Sequence, residues 1–216
     1  LTGTCVDYGH NINFLPLIDI VSAASAITRD ATEAEAKQMI SSTATDDLAE
    51  MVPFYQNLLS LKVDDPNFDM IQPEGRKFGT FEAVKKLLFA FSRKMSLVIF
   101  VEDVHWIDEI SREFFTYFTR HFHGHPVLVV ANYRPEFISP WTGVKNYQKI
   151  ILETLSSGSS ARIVRNMLGG EHLDPALEEK IVAKTGGNPF FVEEMIRELQ
   201  DRGDIFRDGD RYEVRG

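Results

Sequence analysis

The most informative part of this chain is the stretch Leu97-Val98-Ile99-Phe100-Val101-Glu102-Asp103-Val104-His105-Trp106-Ile107-Asp108. It is a run of apolar, mostly β-forming residues that ends in two adjacent carboxylates. Such a run predicts a buried strand of a parallel sheet, and the carboxyl end of that strand is where parallel sheets bind ligands. Acidic residues at that position suit a magnesium ion that bridges to phosphate. The stretch therefore indicates nucleoside triphosphate binding or hydrolysis.

The elements around this stretch alternate between helix and strand. Asp108 is placed to cap a helix, and a second β-rich run covers residues 126–131. The order helix, strand, helix, strand predicts parallel pairing with crossover helices. Two helices carry apolar residues at spacings of three and four and are expected to face the core. The preceding helix, residues 77–94, and its end present Phe78, Phe81, Val84, Leu88, Phe91 and Met95, and the following helix presents Ile110, Phe114, Phe115, Phe118 and Phe122.

The regions on either side are less informative. Residues 1–8 read as a short strand and residues 14–27 as a helix, with Pro16 tolerated in its first turn. Residues 30–60 predict two helices of an insertion without a motif, and residues 64–75 predict a loop.

The character of the sequence changes after about Ser156. Three helices are expected at residues 159–168, 174–185 and 190–202. A hairpin should follow around the turn Asp208-Gly209-Asp210, as at the start of a winged-helix unit. We therefore expect an α/β nucleotide-binding core over residues 1–155, a helical lid over residues 156–202 and the beginning of a hairpin unit over residues 203–216.

Composition excludes several classes of protein. The chain has 216 residues, of which 44% are hydrophobic and 25% charged, as in soluble globular domains. It has no apolar run of the roughly 20 residues that a membrane helix needs. Its net charge of −9 argues against a broad nucleic-acid-binding surface. It begins at Leu1 in mid-pattern, without a secretory leader, so we expect part of a longer cytoplasmic protein.

Cysteine and histidine usage gives no metal site. A single cysteine, Cys5, excludes an internal disulfide, as expected in the cytosol, and it is expected to be inert filler. His121, His123 and His125 alternate in a predicted helix-to-strand loop with no cysteine near. Their positions are better explained by a solvated loop than by a zinc-binding site.

Candidate catalytic residues lie at the ends of two predicted strands. At the first, Glu102 or Asp103 would hold magnesium while the other acid polarises the attacking water. The alternative is that both acids cap the next helix and face solvent. Arg134 follows the second strand and would donate a forked pair of hydrogen bonds to a γ-phosphate. The alternative there is a surface arginine held by the turn at Pro135.

A third candidate is the stretch Gly186-Gly187-Asn188-Pro189-Phe190-Phe191. Glycine and asparagine suit a sharp turn, and proline suits the first turn of the helix behind it. A helix-to-helix corner alone explains these residues. The proline ring is also able to pack flat against a purine.

Taken together, three motifs resemble a known family: Glu-Asp-Val-His-Trp-Ile-Asp at 102–108, Val-Ala-Asn-Tyr-Arg-Pro-Glu at 130–136 and Gly-Gly-Asn-Pro-Phe-Phe-Val-Glu-Glu at 186–194. The chain resembles the ATPase module of the STAND class of AAA-related P-loop NTPases. The likeness is greatest to modules attached to bacterial class III adenylate or guanylate cyclases, Ser/Thr kinases and LuxR-type regulators. It extends over nearly the whole chain, with residues 3–17 similar to the segment that follows the P-loop helix.

The resemblance implies roles for individual positions. Glu102 and Asp103 would be the Walker B acids, and Arg134 would be the sensor arginine that reads the γ-phosphate. Gly187, Asn188 and Pro189 would form the Gly-x-Pro motif, whose proline contacts adenine from the lid. Val104 and Ile107 replace the commoner Leu and Ala, and Asn132 stands where Thr is usual. No P-loop motif, G-x-x-x-x-G-K-[ST], occurs in the sequence.

The resulting expectation is a regulatory ATPase module that binds ATP or ADP with Mg²⁺ in a longer parent protein and switches a linked effector. This chain alone is expected to bind no nucleotide tightly and to hydrolyse none. One alternative is a non-catalytic scaffold or homo-oligomerisation module of the same fold. Another is the ATPase part of a DNA-binding regulator, against which the acidic charge counts. A membrane partner is not expected.

Overall fold

The computed structural model describes residues 1–7, 12–168, 175–208 and 211–214, and these form two compact units, Leu1–Gln148 and Lys149–Gly216. The sequence prediction places the boundary at residue 155 instead. The first unit contains β1 (Thr2–Thr4), α1 (Leu15–Ala24), α2 (Glu33–Thr43), α3 (Val52–Leu58), α4 (Pro73–Lys94), β2 (Leu97–Glu102), α5 (Glu109–His121) and β3 (Val127–Ala131). The second contains α6 (Ser157–Leu168), α7 (Pro175–Thr185), α8 (Pro189–Asp201), β4 (Ile205–Asp208) and β5 (Arg211–Val214).

The first unit is an α/β fold with a three-stranded sheet in the order β1-β2-β3, in which both pairs are parallel. Parallel pairing confirms the expectation from the alternating elements. The register aligns Thr4 with Glu102 and Val101 with Ala131, so the carboxyl ends of the strands lie at one edge. That edge carries the candidate acids.

One face of the sheet is covered and the other is open. Ile99 and Val101 are buried in a core shared with α1, α4 and α5. On the opposite face Val98, Leu128 and Val130 are 49%, 57% and 40% exposed. Successive residues of a strand point to opposite faces, and within the described residues of this unit the helices pack on only one of them. The prediction of a buried strand therefore holds for one face of β2 alone.

Aromatic packing joins the helices above the covered face. Phe81 of α4 contacts Phe114 of α5 with ring centroids 5.5 Å apart, and Phe118 is fully buried. These contacts confirm most of the predicted inner faces. Phe78 and Met95 are exposed, at 53% and 65%, so their predicted core positions are wrong.

Several predicted boundaries need correction. α4 begins at Pro73, so Gly75 lies in a helix rather than a loop, because Pro fits the first helical turn. β1 is only three residues long, and α1 ends at Ala24 instead of residue 27. His121 is exposed as predicted but ends α5 rather than lying in the loop, whereas His125 lies in the loop but is half-buried and stacks on Phe89, with ring centroids 3.8 Å apart. Tyr8, Asp174, Gly209 and Asp210 belong to predicted elements but lie outside the described residues.

The second unit packs three helices around a small core of its own. Val164, Ile181, Val192 and Ile196 are buried there, together with Ile205 of β4. β4 and β5 form the expected antiparallel hairpin. Among the described residues of both units, no helix is long and apolar enough to cross a membrane.

Candidate functional site

The carboxyl edge of the sheet brings together side chains from the ends of all three strands. Glu102 is the last residue of β2, and its carbonyl accepts a hydrogen bond from the Cys5 amide at 3.0 Å. Its half-buried carboxylate lies on the open side of the sheet, with Oε2 3.5 Å from Thr4 Oγ1. Thr4 is in turn held by α1, because Asp19 Oδ2 accepts from its amide at 3.0 Å.

Asp103 follows Glu102 in an unusual backbone conformation. Its φ and ψ are 54° and 45°, in the left-handed region that residues with a Cβ rarely enter. Its amide donates to Asn132 Oδ1 at 2.6 Å, and its side chain is 57% exposed. Asn132 is the first residue after β3, so the two strand ends are joined directly at this point.

Trp106 links the two predicted motifs of the edge. The Trp106 ring lies 4.8 Å from the His105 ring, and the Arg134 guanidinium carbon lies 5.8 Å from the Trp106 centroid. This geometry is suited to a cation–π contact. Arg134 therefore lies beside the loop that carries Asp103, as the positions of the two strand ends predict.

His105 is half-buried, and its ring nitrogens have no hydrogen-bond partner among the described residues. Both ring nitrogens are inaccessible and unpaired, and the side chain is only 12% exposed. The nearest acid is Asp103, whose Oδ1 lies 4.0 Å from Nδ1, beyond hydrogen-bond distance. Unpaired buried polar groups are uncommon in folded proteins, and this one adjoins the candidate acids.

Asp108, the third acid of the motif, has a structural task. It is buried and caps α5, with Oδ1 accepting from the Ser111 amide at 2.9 Å. The same oxygen accepts from the Phe14 amide at 3.3 Å, which ties the start of α1 to the start of α5. The capping prediction is confirmed, and the carboxylate also joins segments that lie 94 residues apart.

Cys5 lies under this edge as an unreactive thiol. Burial raises its pKa to about 12, and the negative charges of Asp108, Asp103 and Asp19 contribute in the same direction. Since the thiolate is the nucleophilic form, Cys5 stays protonated and inert at neutral pH. This agrees with the expectation of filler.

The carboxylates at this edge suit a magnesium ion only if phosphate oxygens supply further ligands. Among the described residues, no group of three or more His, Cys, Asp or Glu is placed to hold a metal ion. Mg²⁺ is commonly held by one or two carboxylates together with phosphate oxygens and waters. Glu102 and Asp103 supply two carboxylates at an accessible edge, which fits that mode and not an all-protein cage.

The glycine-rich motif forms a tight corner inside the second unit. Gly186 and Gly187 have φ of 58° and 77°. A Cβ on Gly187 would lie 2.4 Å from the carbonyl oxygen of Leu155, whose amide donates to Gly187 O at 2.8 Å. Asn188 caps α8 by accepting from the Phe190 amide at 3.0 Å, and Pro189 is the first helical residue and exposed.

The structure thus unites Glu102, Asp103 and Arg134 at one edge and arranges Gly187, Asn188 and Pro189 as one turn. Sequence reasoning noted Asn132 only as a departure from a family pattern and overlooked Thr4. The available signal was their position, because both are polar residues at or just after the carboxyl end of a strand.

A separate cleft of about 620 Å³ lies between α4 and the segment before α3. Its lining includes Leu48, Glu50, Lys86, Phe89 and Arg93, and Lys86 is paired with Glu50 at 2.6 Å. None of the predicted site residues contributes to it. The cleft is therefore not assigned to the candidate chemistry.

Comparison with known proteins identifies relatives but no activity. A family model described as Domain of unknown function (DUF8739) matches residues 156–209, within the second unit. An uncharacterized protein of Rhizobium meliloti (strain 1021) is 32% identical over 128 residues, which make up 58% of this chain and 12% of that protein. The chain therefore spans only a small part of that relative's length. No solved structure matches the chain significantly.

Proposed function

We propose that this chain is part of a regulatory ATPase module of the STAND type. In the complete protein the module binds and hydrolyses ATP and thereby switches a linked signalling effector such as a nucleotide cyclase. The observation that carries the proposal is the convergence of Glu102, Asp103, Asn132 and Arg134 at the carboxyl edge of a parallel sheet. Open α/β sheets bind ligands at this edge.

Each side chain of the edge has a place in phosphoryl transfer. The carboxylates of Glu102 and Asp103 suit a divalent cation shared with phosphate oxygens and the orientation of an attacking water. Arg134 supplies a fixed positive charge for the terminal phosphate. Its contact with Trp106 restricts where the guanidinium lies before nucleotide arrives.

The open face of the sheet supports the same proposal. Parallel sheets are covered by helices on both faces, yet Val98, Leu128 and Val130 are exposed here. The STAND resemblance implies a further strand and helix that carry the phosphate-binding loop. Such a unit would cover this apolar face while supplying the backbone amides that phosphates require.

On this proposal the second unit acts as a nucleotide-responsive lid. The exposed Pro189 ring offers a flat apolar surface to a base, and Gly187 and Asn188 fix its position. On this proposal the lid reports whether ATP or ADP is bound, and the effector follows the lid.

Steady-state ATP hydrolysis by the complete protein, which on this proposal carries a P-loop, tests the assignment. Asp103→Asn should lower turnover about 100-fold or more, because a group acting on the nucleophile is lost. Asp69→Asn is the matched control, since that carboxylate is 94% exposed before α4. Wild-type turnover in Asp103→Asn would refute the role of the acid. Absence of ATP binding by the complete protein would favour the scaffold alternative.

A further inference from the structure

Asp103 lies at the N-cap position of a short helical turn, but its side chain does not accept the usual capping hydrogen bond. It precedes the short 3₁₀ turn Val104–Trp106, where an aspartate normally accepts a hydrogen bond from the turn's amides. Within the described part of the chain its carboxylate makes no such bond. Asp108, which precedes α5 with φ of −68°, does cap its helix. The difference lies in the backbone, because the left-handed Asp103 cannot direct its side chain in the same way.

A left-handed residue other than glycine persists only where its surroundings hold it. Asn132 makes three hydrogen bonds around Asp103. Its amide oxygen accepts from the Asp103 amide at 2.6 Å, and its carbonyl accepts from the Val104 amide at 3.0 Å. Its own amide donates to the Val101 carbonyl at 3.2 Å. The peptide groups on both sides of Asp103 are therefore bound to one residue.

Among the polar groups of Asp103 itself, only the carboxylate makes no hydrogen bond to the described residues. The Asp103 carbonyl accepts from the Trp106 amide at 2.8 Å, so the main chain of the residue is engaged on both sides. The side chain is more than half exposed at the edge that also carries Glu102 and Arg134. Residues in strained conformations of this kind cluster at active sites and ligand-binding sites.

We propose that Asn132 is a positioning residue, which holds Asp103 in the left-handed conformation and so keeps its carboxylate from capping the following turn and available to the nucleotide site. The structural part of this inference stands on the contacts above. Its functional part rests on the proposed ATPase, and the two are tested separately.

The structural part is tested on this chain by NMR. The φ-sensitive three-bond coupling and the Cα shift of Asp103 report its backbone conformation. In Asn132→Ala we expect Asp103 to move to negative φ, whereas Asn132→Asp, which retains the accepting oxygen, should preserve the left-handed values. Tyr133→Phe is the control, because it removes the neighbouring hydroxyl contact with Tyr147 at 2.9 Å. A left-handed Asp103 in Asn132→Ala would overturn the clamp.

A thermal series tests the left-handed conformation of Asp103, on which the proposal depends, even if Asn132→Ala does not fold. Glycine adopts positive φ without the Cβ penalty, and alanine tolerates it less well than aspartate. Asp103→Gly should therefore raise the unfolding midpoint and Asp103→Ala should lower it. A lower midpoint for glycine than for alanine would show that Asp103 is not held left-handed, and would reject the proposal.

The functional part is tested on the complete protein. Asn132→Ala should lower kcat about 10- to 100-fold, the scale of a misplaced catalytic group, with little change in KM for ATP. A residue needed only for folding would lower the active fraction, which active-site titration corrects for. Unchanged kcat would reject the positioning role even if the clamp is real. Full activity of Asp103→Asn would instead reject the proposed function and leave the NMR result intact.

Discussion

The carboxyl edge of the sheet and the Gly187 turn are held by different kinds of contact. At the edge, Asp103 is held by Asn132, which lies 29 residues further along the chain. At the turn, Asn188 caps the helix that begins at the next residue, and the Gly187 carbonyl accepts a hydrogen bond from the Leu155 amide, which is just as distant along the chain. The edge depends on correct pairing of β2 with β3 and on the Asn132 side chain, whereas the turn depends on two glycines at positive φ and on a main-chain contact. A mutation at the edge is therefore expected to act on chemistry, and one at the turn on the stability of its own unit.

The strongest test of this contrast compares Arg134 with Pro189 in the complete protein. Arg134→Ala should weaken ATP binding by about 10- to 100-fold, because a charge-assisted pair worth about 1.5–3 kcal/mol is lost. ADP lacks the γ-phosphate, so its affinity should change little. Pro189→Ala should weaken both nucleotides alike and more modestly, because only packing on the shared base is lost. Calorimetric titration of both nucleotides into both variants measures the effects.

Equal losses of ATP and ADP in Arg134→Ala would remove the arginine from the sensor role. It would then remain a strand-end residue held by its contact with Trp106.

The two glycines of the turn, Gly186 and Gly187, allow a second comparison. Gly187→Ala should destabilise the second unit by about 2 kcal/mol or more, because it adds a Cβ at positive φ against the Leu155 carbonyl. Gly186→Ala is a matched control at φ 58°, where a Cβ meets nothing within 4 Å, and should cost about 1 kcal/mol. Hydrogen exchange of α8 amides measures local opening in the whole chain. Equal losses in the two variants would show that the Leu155 contact is unimportant.

The smallest expected effect concerns pH and the second unit. Hydrogen bonds from Arg165 at 2.7 and 2.8 Å lower the pKa of Glu178. The contribution of the ionised Glu178 to the stability of the second unit is fully present above the ordinary glutamate pKa. It is lost as the pH falls through the lowered pKa of the folded state. Glu178→Gln should therefore cost on the order of 0.5 kcal/mol at neutral pH and less in acid.

The same α8 exchange measurement, repeated from neutral pH downward, follows this dependence. Glu198→Gln is the control, because its 3.5 Å pair with Arg202 is largely exposed and should contribute little. A Glu178→Gln effect that grows as pH falls would contradict the assigned sign.

Much of the fold is readable in the sequence because it is set by local pattern. The spacing of Phe81, Phe114 and Phe118 predicts core-facing helices, and all three are buried. The β-forming runs before Glu102 and Asn132 predict parallel strands that end at one edge, and they pair in that way. These inferences hold because side-chain periodicity and strand chemistry act over a few residues.

Other features were decided only by the tertiary structure. The sequence alone does not show that Asn132 holds Asp103 left-handed or that Val98 and Leu128 lie on an open face. Nor does it show that the His105 ring nitrogens are inaccessible and have no hydrogen-bond partner among the described residues. Each of these features depends on which segment, distant in sequence, packs against the residue. The conformational propensity of a residue does not indicate which segment that is. The sequence by itself therefore determined the elements and the acids at the strand end. The tertiary structure decided which of those acids serves the fold, as Asp108 does, and which remains exposed at the edge, as Asp103 does.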